Sequence, residues 1–551
     1  MVSGGIIIEL KPLQTINTDV LVIGGGAAGL KAAIEAKKHA VNVVLLSESP
    51  IGFRNNTAIS GGYFAATDIW KGSGDSPEVY FRDTITGGRF INDRRLVDVM
   101  TRQATQQVYD LIQFGVNFER ENEDLRVQHS PGHTYPRHVA GIKAGISLTR
   151  PMREHAISKG VQFEEGIFVT RLLKVGDVIA GALGIDNKGQ VLVLKAKSTI
   201  LATGGAGDLY LRSDNTLEST GDGYVLAYDI GASLRDMEFV QFYPAALGEN
   251  ARKTCDYPIL VNHGAVIRNS LGEDILDKYG IRAHKSMTRD MLSRAMMLEI
   301  TENRGIGDSV IIDFTNISRE EFQKIRHFTG VRQYTDKILV APTAHFFMGG
   351  VKINENCETE FDGLYAAGEV CGGIHGANRL EGNAITETFV FGTIAGDRAA
   401  TRASKMKQAP APDRQIAAEV DRLRDLALHQ GSENLDELQQ SLKRTMWHKV
   451  GVIRSGTDLE DAQREVTTLR DQLRAVSPAD YRQLSQAIKL GNMLTVAEMV
   501  CRAALTRAES RGAHYRTDYP EQNDTQWLKT IEIHCHSGEM KLRTIPVNGS
   551  P

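Results

Sequence analysis

A chain of 551 residues, 41% hydrophobic and 24% charged, can bury several cores, and its length points to roughly three or four domains. A formal net charge of −4 and a pI near 6.5 provide no basic field for a phosphate backbone, which excludes nucleic-acid binding as a main role. Five scattered cysteines without a CxxC pair exclude a self-contained iron–sulfur cluster or a covalently held c-type haem, and their low, odd number fits a reducing compartment.

The N-terminal MVSGGIIIELKPL is too short in apolar residues for a signal segment, and no apolar run of about 18 residues follows. The expected location is cytoplasmic, with any membrane contact made indirectly through partners. Residues 18–34 then read as a buried strand, a glycine turn and a helix, with Gly24, Gly26 and Gly29 in GxGxxG spacing. Gly24 permits the tight turn, Gly26 lets the main chain approach a pyrophosphate, and Gly29 lets the helix pack on the strand. The next apolar run, 41–48, is a second parallel strand ending in Glu48, placed to accept an unphosphorylated ribose hydroxyl, as in FAD or NAD.

Helix and strand alternate to about residue 240, closing on the strand and glycines of Ser198–Gly207. Thr220–Tyr228 is a glycine turn opening a helix, where Asp222 is either a ligand to a cofactor hydroxyl or a helix N-cap. From 241 to 340 the periodicity loosens into an inserted lobe. Strand character resumes at Asp362–Glu369, and Asn383–Gly396 reads as a glycine-containing helix packed closely on something flat. A proline-containing linker at 406–414 leads to amphipathic helices over 415–510, and 511–551 is a tail of short strands and turns.

Seven motifs in order, GGGAAGL at 24–30, LATGGAG at 201–207, TGDG at 220–223, DMEFVQFYP at 236–244, PTAHFFMGG at 342–350, AAGEV at 366–370 and HGANRL at 375–380, resemble the flavoprotein subunits of fumarate reductase and succinate dehydrogenase, and L-aspartate oxidase. The likeness spans nearly the whole chain. It implies an α/β fold: a Rossmann-like FAD-binding domain (15–240 and 341–405) with an inserted α+β capping domain (241–340), then a helical domain (415–510) and a small C-terminal β-containing tail (511–551). It implies FAD, held by Gly24, Gly26, Ala27, Ala28 and Gly29 at the pyrophosphate and Glu48 at the ribose. Asn56, Thr57, Gly61 and Gly62 would lie near the isoalloxazine, with Thr203, Gly204, Asp222, Glu369, Asn383, Ala384 and Ile385 completing the site. Where membrane-bound members carry a histidine bonded to the flavin, this chain has Asn55 and Asn56, so the FAD is expected to be non-covalent.

The resemblance also implies chemistry at a C=C bond next to a carboxylate, with a hydride from flavin N5, a proton to the other carbon and cations on the carboxylate. Arg289 matches the proton-donating arginine, the alternative being a structural guanidinium paired with Asp290. His345 and Arg379 match the clamp on one carboxylate. The opposite wall departs from the pattern. Tyr243 stands where fumarate reductases have a histidine, and Asn262 and His263 are taken to replace a threonine and a glutamate of a proton relay, with Arg268 nearby in sequence. The expected function is therefore interconversion of an unsaturated carboxylate or dicarboxylate and its saturated form, beside an iron–sulfur or other electron-carrier subunit. The alternatives are an L-aspartate oxidase-like oxidase, an adenylylsulfate reductase-like enzyme and an electron-transfer subunit.

Overall fold

The first strand, β1 (Lys11–Ile23), forms because its second half is an unbroken apolar run, and Val20, Leu21 and Val22 are fully buried on both faces of the sheet. In the computed structural model, which describes residues 11–69, 74–248, 252–281, 287–331, 333–429 and 431–547, β1 sits near the middle of a seven-stranded sheet. The start of the N-terminal apolar stretch and residues 548–551 of the tail lie outside the described residues. Strand β2 (Val43–Ser47) pairs parallel with β1, Val20 opposite Val43, and the strand Gln190–Leu201 pairs parallel on the other side, Val20 opposite Ser198. Beyond it lie two antiparallel strands, Val178–Asp186 and Ile167–Val175. The late strand Leu364–Ala366 returns to this sheet, Ile200 opposite Tyr365, and so carries Glu369 back to the first glycine turn.

Helix α1 (Ala27–Ala36) follows the glycine turn and is buried along its length. The helix Asn383–Ala403 lies against it. The expected flat partner of that helix is in part another helix: a Cβ at Gly396 would stand 2.3 Å from the Ala32 carbonyl oxygen, so the two backbones meet where only glycine fits.

The segment between these returns folds around a five-stranded sheet ordered Lys253–Thr254, Val240–Leu247, Lys337–Phe347, Val310–Asp313, Val266–Arg268. Its own core includes Leu260, Leu292, Met296, Ile312 and Phe314. Antiparallel pairing sets Tyr243 opposite Thr343 and Phe242 opposite Ala344, which brings Tyr243 and His345 together, their ring centres 5.4 Å apart. The helix Arg289–Thr301 packs on the same sheet, Ser293 Oγ donating to the Phe242 carbonyl.

Four helices among the described residues, Asp413–Leu428, Leu435–Lys449, Gly456–Leu473 and Tyr481–Thr506, make the helical part. The last of them points Lys489 and Asn492 at the nucleotide end of the first domain. The junction of the last helix with the tail is fastened by the buried ion pair of Arg507 Nε with Glu238 Oε1 at 2.7 Å, and the tail by Arg511, whose Nη1 donates to the Arg89 carbonyl at 2.9 Å and whose Nε pairs with Glu509 Oε1 at 2.6 Å. Such pairs hold a tail in one place, since losing either partner strands a buried charge. Among the described residues no helix is long and apolar enough to cross a membrane.

Candidate active site

One cavity of about 620 Å³ runs from the first glycine turn to the inserted lobe. At its nucleotide end Gly24 has φ +122°, and a Cβ there would lie 2.1 Å from the Ala202 oxygen. Gly29 faces away from the cavity, where a Cβ would stand 1.9 Å from the Gly24 oxygen, so it serves the packing of helix on strand. Gly26 is the N-cap of α1 and provides no side chain to cap it, leaving the first-turn amides of Ala27 and Ala28 to an anion. Glu48 lines the cavity with one oxygen held by Lys489 Nζ at 2.6 Å.

Asn56, Thr57, Gly61, Gly62, Thr203, Gly204, Asp222, Glu369, Ala384 and Ile385 all line the same cavity. Asp222 is not the N-cap; that position is Gly221, and the Asp222 oxygens accept from Thr220 Oγ1 at 2.6 Å and Asn492 Nδ2 at 2.7 Å. Glu369 accepts the Phe347 N–H at 3.0 Å, and burial raises its carboxyl to about 7. Two polar atoms on cavity-lining residues, Thr203 Oγ1 and Asn55 Nδ2, are buried without a partner among the described residues. A helix start open to an anion, the Glu48 carboxylate after the second strand and unsatisfied polar atoms beside the cavity together fit FAD.

Asn383 corrects the expectation. Its side chain is fully buried and turned from the cavity, accepting from Tyr80 Oη at 2.9 Å and donating to Thr84 Oγ1 at 3.1 Å. It ties its helix to a neighbour instead of lining the site.

At the other end Arg289, Arg379, His345 and Tyr243 converge. Gln241 Oε1 accepts from Arg379 Nε at 3.1 Å and lies 3.5 Å from Arg289 Nη1, which places the two guanidinium groups on one oxygen. His345 gives Nδ1 to Asp214 at 2.7 Å, which leaves Nε2 for a ligand. Burial lowers its pKa, with Asp214 opposing, so the imidazole is neutral at neutral pH. Burial, helped by the neighbouring Arg289 charge, lowers Arg379 to about 9. Arg289 is the first residue of its helix, at the positive end of the dipole. Burial also works against its charge, yet Glu381 at 2.5 Å outweighs both and holds the proton. The pairing of Arg289 with Asp290 does not form, because Asp290 belongs to Arg89 at 3.2 Å.

The far wall differs most from expectation. Asn262 and His263 end the short helix Tyr257–Asn262, are exposed, and do not line the cavity; His263 is engaged with Glu321 at 2.9 Å. Arg268 is likewise occupied, with Asp313 at 3.1 Å. The residue that faces the cavity is at the start of that helix: Asp256 caps it, accepting the Ile259 N–H at 3.3 Å, and lies 3.4 Å from Tyr63 Oη. Burial, reinforced by the Glu381 charge, raises the Asp256 carboxyl to about 7. The signal for this cap is present in the sequence as Asp256-Tyr-Pro258, a capping residue with proline in the first turn. Tyr243 offers its ring, not its hydroxyl: Oη donates to the Cys255 carbonyl at 3.0 Å while the Arg289 guanidinium sits 4.8 Å from the ring centre. Glu381 has no sequence signal of its own, because the HGANRL motif ends one residue before it, at Leu380.

Residues 19–385 match the FAD binding domain family, and residues 439–551 match the C-terminal domain of the fumarate reductase flavoprotein. A fumarate reductase (CoM/CoB) subunit from Methanothermobacter marburgensis is 36% identical over 531 residues, covering 93% of this chain and 96% of that one. The 8-methylmenaquinol:fumarate reductase flavoprotein subunit of Wolinella succinogenes is 30% identical over 548 residues, covering 93% and 87%. The FrdA protein of Escherichia coli quinol fumarate reductase superposes with a TM-score of 0.89 at 28% identity, over 98% of both chains. Adenylylsulfate reductase from Archaeoglobus fulgidus, at 20% identity and a TM-score of 0.78, shares the fold alone. The cavity, its glycine cradle and these likenesses agree: the chain belongs to the fumarate reductase and succinate dehydrogenase flavoprotein family of FAD-dependent oxidoreductases.

Proposed function

We propose that this chain interconverts an α,β-unsaturated carboxylic acid and its saturated form, on FAD that is not covalently attached, as the cytoplasmic catalytic subunit of an electron-transfer complex. The observation that carries the reading is the convergence of Arg289, Arg379 and His345 at one end of a cavity whose other end is built for a dinucleotide. Bound FAD supplies the hydride. Arg379 and the free Nε2 of His345 hold the substrate carboxylate and polarise the double bond. Arg289 delivers the proton to the second carbon, its guanidinium fixed by Glu381 and the Tyr243 ring. A proton from solvent then restores the Arg289 charge, which the ionised Glu381 beside it stabilises.

Non-covalent FAD is supported by the asparagines. Asn55 Oδ1 caps the helix Asn56–Ile59 through the Ala58 N–H, and Asn56 bonds Asn215, Thr216 and Ser219, so neither offers a nucleophile to the flavin. An electron-carrier partner, iron–sulfur or other, is supported by the names of the relatives, which are subunits of larger reductases.

The test begins with denaturation, which releases intact FAD if no bond is present. The holoenzyme is then reduced anaerobically and mixed with enoates bearing one carboxylate, two carboxylates, or a carboxylate and an amine. At least one should reoxidise the flavin, and Arg289→Ala should slow that step by about 10²–10⁴-fold. Flavin that stays reduced with every enoate, in wild type and variant alike, sinks the proposal. Steady peroxide release with a saturated acid and no other acceptor would assign an oxidase instead.

A further inference from the structure

The two buried cations of the substrate end, Arg289 and Arg379, stand side by side on Gln241 Oε1. Arg379 makes no ion pair among the described residues and donates to the neutral Gln241 and to the Leu380 carbonyl. Arg289, by contrast, is already neutralised by Glu381. Glu381 is a built feature: its backbone oxygen accepts from His133 Nε2 at 3.0 Å and His138 Nε2 at 2.8 Å. The next residue, Gly382, has φ +78° and leaves no room for a Cβ beside the His138 ring, so the chain is fixed where it turns this carboxylate towards Arg289.

Opposite Arg379 the wall offers acceptors and ring faces. Tyr63 and Tyr243 line it, and their hydroxyls have acceptors in Asp256 and the Cys255 carbonyl. Asp256 adds a second carboxyl, and farther out the half-buried Glu119 and the exposed Arg252 again come as one of each sign. Two guanidinium groups, Arg289 and Arg379, thus meet three carboxyl groups, Asp214, Asp256 and Glu381, around the substrate space. A ligand with two carboxylates would put a net double negative charge into a buried site and press one of them against Asp256 and Glu381. A ligand with one carboxylate and one cation adds no net charge, and the Tyr63 ring beside Asp256 favours the cation further.

Resting on the enoate reading above, we infer that the site selects a substrate with a single carboxylate, held by Arg379 and His345, and an ammonium group at the opposite end, received by Asp256 and the Tyr63 ring. The enzyme is then a reductase or dehydrogenase of an amino-substituted unsaturated acid, and a dicarboxylate is a poor ligand.

Three four-carbon acids that differ only at the far end test this without turnover: γ-aminobutyrate, butyrate and succinate. Each is titrated into the oxidised holoenzyme and followed by the shift it causes in the visible absorption of bound FAD. The expected order is γ-aminobutyrate tightest, by about tenfold or more over butyrate, with succinate weakest. Asp256→Asn with Glu381→Gln should abolish the preference for the amine and strengthen succinate. Asn retains the helix cap and Gln the side-chain shape, and an unchanged flavin spectrum reports that the variant is folded. Succinate binding as tightly as γ-aminobutyrate, butyrate binding tightest, or no shift with any of the three overturns the inference. Because this readout needs no hydride transfer, a correct order with no enoate turnover removes the reaction proposed above and leaves the charge selection standing. Turnover of enoates with the reversed order does the opposite.

Discussion

At the nucleotide end of the cavity the backbone recognises its ligand, through a glycine turn and the open start of α1, while the substrate end is made of side chains from several distant segments. Backbone recognition demands particular residues at particular spacings, so it is shared across a family. Side-chain recognition is free to change, and here Tyr243, Asp256 and Glu381 stand around Arg289.

The sharpest break between the two ends is Arg289→Ala. FAD content should be unchanged while enoate reduction falls by about 10³-fold, measured as the rate of flavin reoxidation. Arg289→Lys, which keeps a charge beside Glu381 but loses the planar fork, should remain well below wild type. If Arg289→Ala also releases FAD, the two ends are not separable in the way the cavity suggests.

Gly24→Ala breaks the other end. The new Cβ meets the Ala202 backbone at 2.1 Å and φ +122° suits only glycine, so the turn must shift. The expected outcome is loss of FAD on gel filtration, with a destabilisation of about 1–3 kcal/mol or more in the apoprotein. Retention of stoichiometric FAD would show that the turn tolerates movement and that binding lies elsewhere.

What was legible in the sequence follows the same division. The strand, turn and helix of residues 18–34, Glu48, and the later returns at Thr203 and Glu369 were readable because glycine spacing and apolar runs are local signals. Arg289, His345 and Arg379 were readable through motifs. Asp256 was not, because the stretch after Pro244 carries no motif of fixed spacing, and the residues expected at that wall, Asn262 and His263, stand on the exposed end of a helix whose start faces the cavity. Asn383 failed differently: the residue type fitted a ligand, but a helix turns each successive side chain by about 100°, and this one points to Tyr80.

A smaller effect concerns the buried pair under the substrate end, His375 Nε2 and Glu387 Oε2, 2.7 Å apart. Burial raises Glu387 from 4.5 to about 8 and drives His375 well below 6.5, so both are neutral. A raised carboxyl binds its proton in the folded state over an interval where the unfolded chain has lost it. Its contribution to stability is complete below pH 4.5 and is lost as pH rises through about 8. His375 acts in the opposite sense, but only below pH 6.5. Between pH 6.5 and 8 the Glu387 term is therefore read alone in the difference between wild type and Glu387→Gln, at about 2 kcal/mol at most. Parallel Tm curves for the two proteins over that window would show that Glu387 is already ionised.

The smallest effect tests whether the helical segment takes part in cofactor binding. Lys489 reaches Glu48 at 2.6 Å with both side chains partly exposed, so the ion pair itself contributes about 1 kcal/mol or less. Lys489→Ala should leave Tm nearly unchanged. Its larger consequence is orientation: without Lys489 the Glu48 carboxylate is no longer held at the ribose position, and FAD should dissociate a few-fold faster. Glu48→Gln separates the two roles, since an amide can still accept one bond from Lys489 but is a weaker acceptor for a ribose hydroxyl. If Glu48→Gln retains FAD as well as wild type does, Glu48 belongs to the helical segment and not to the nucleotide end, and the backbone carries cofactor recognition by itself.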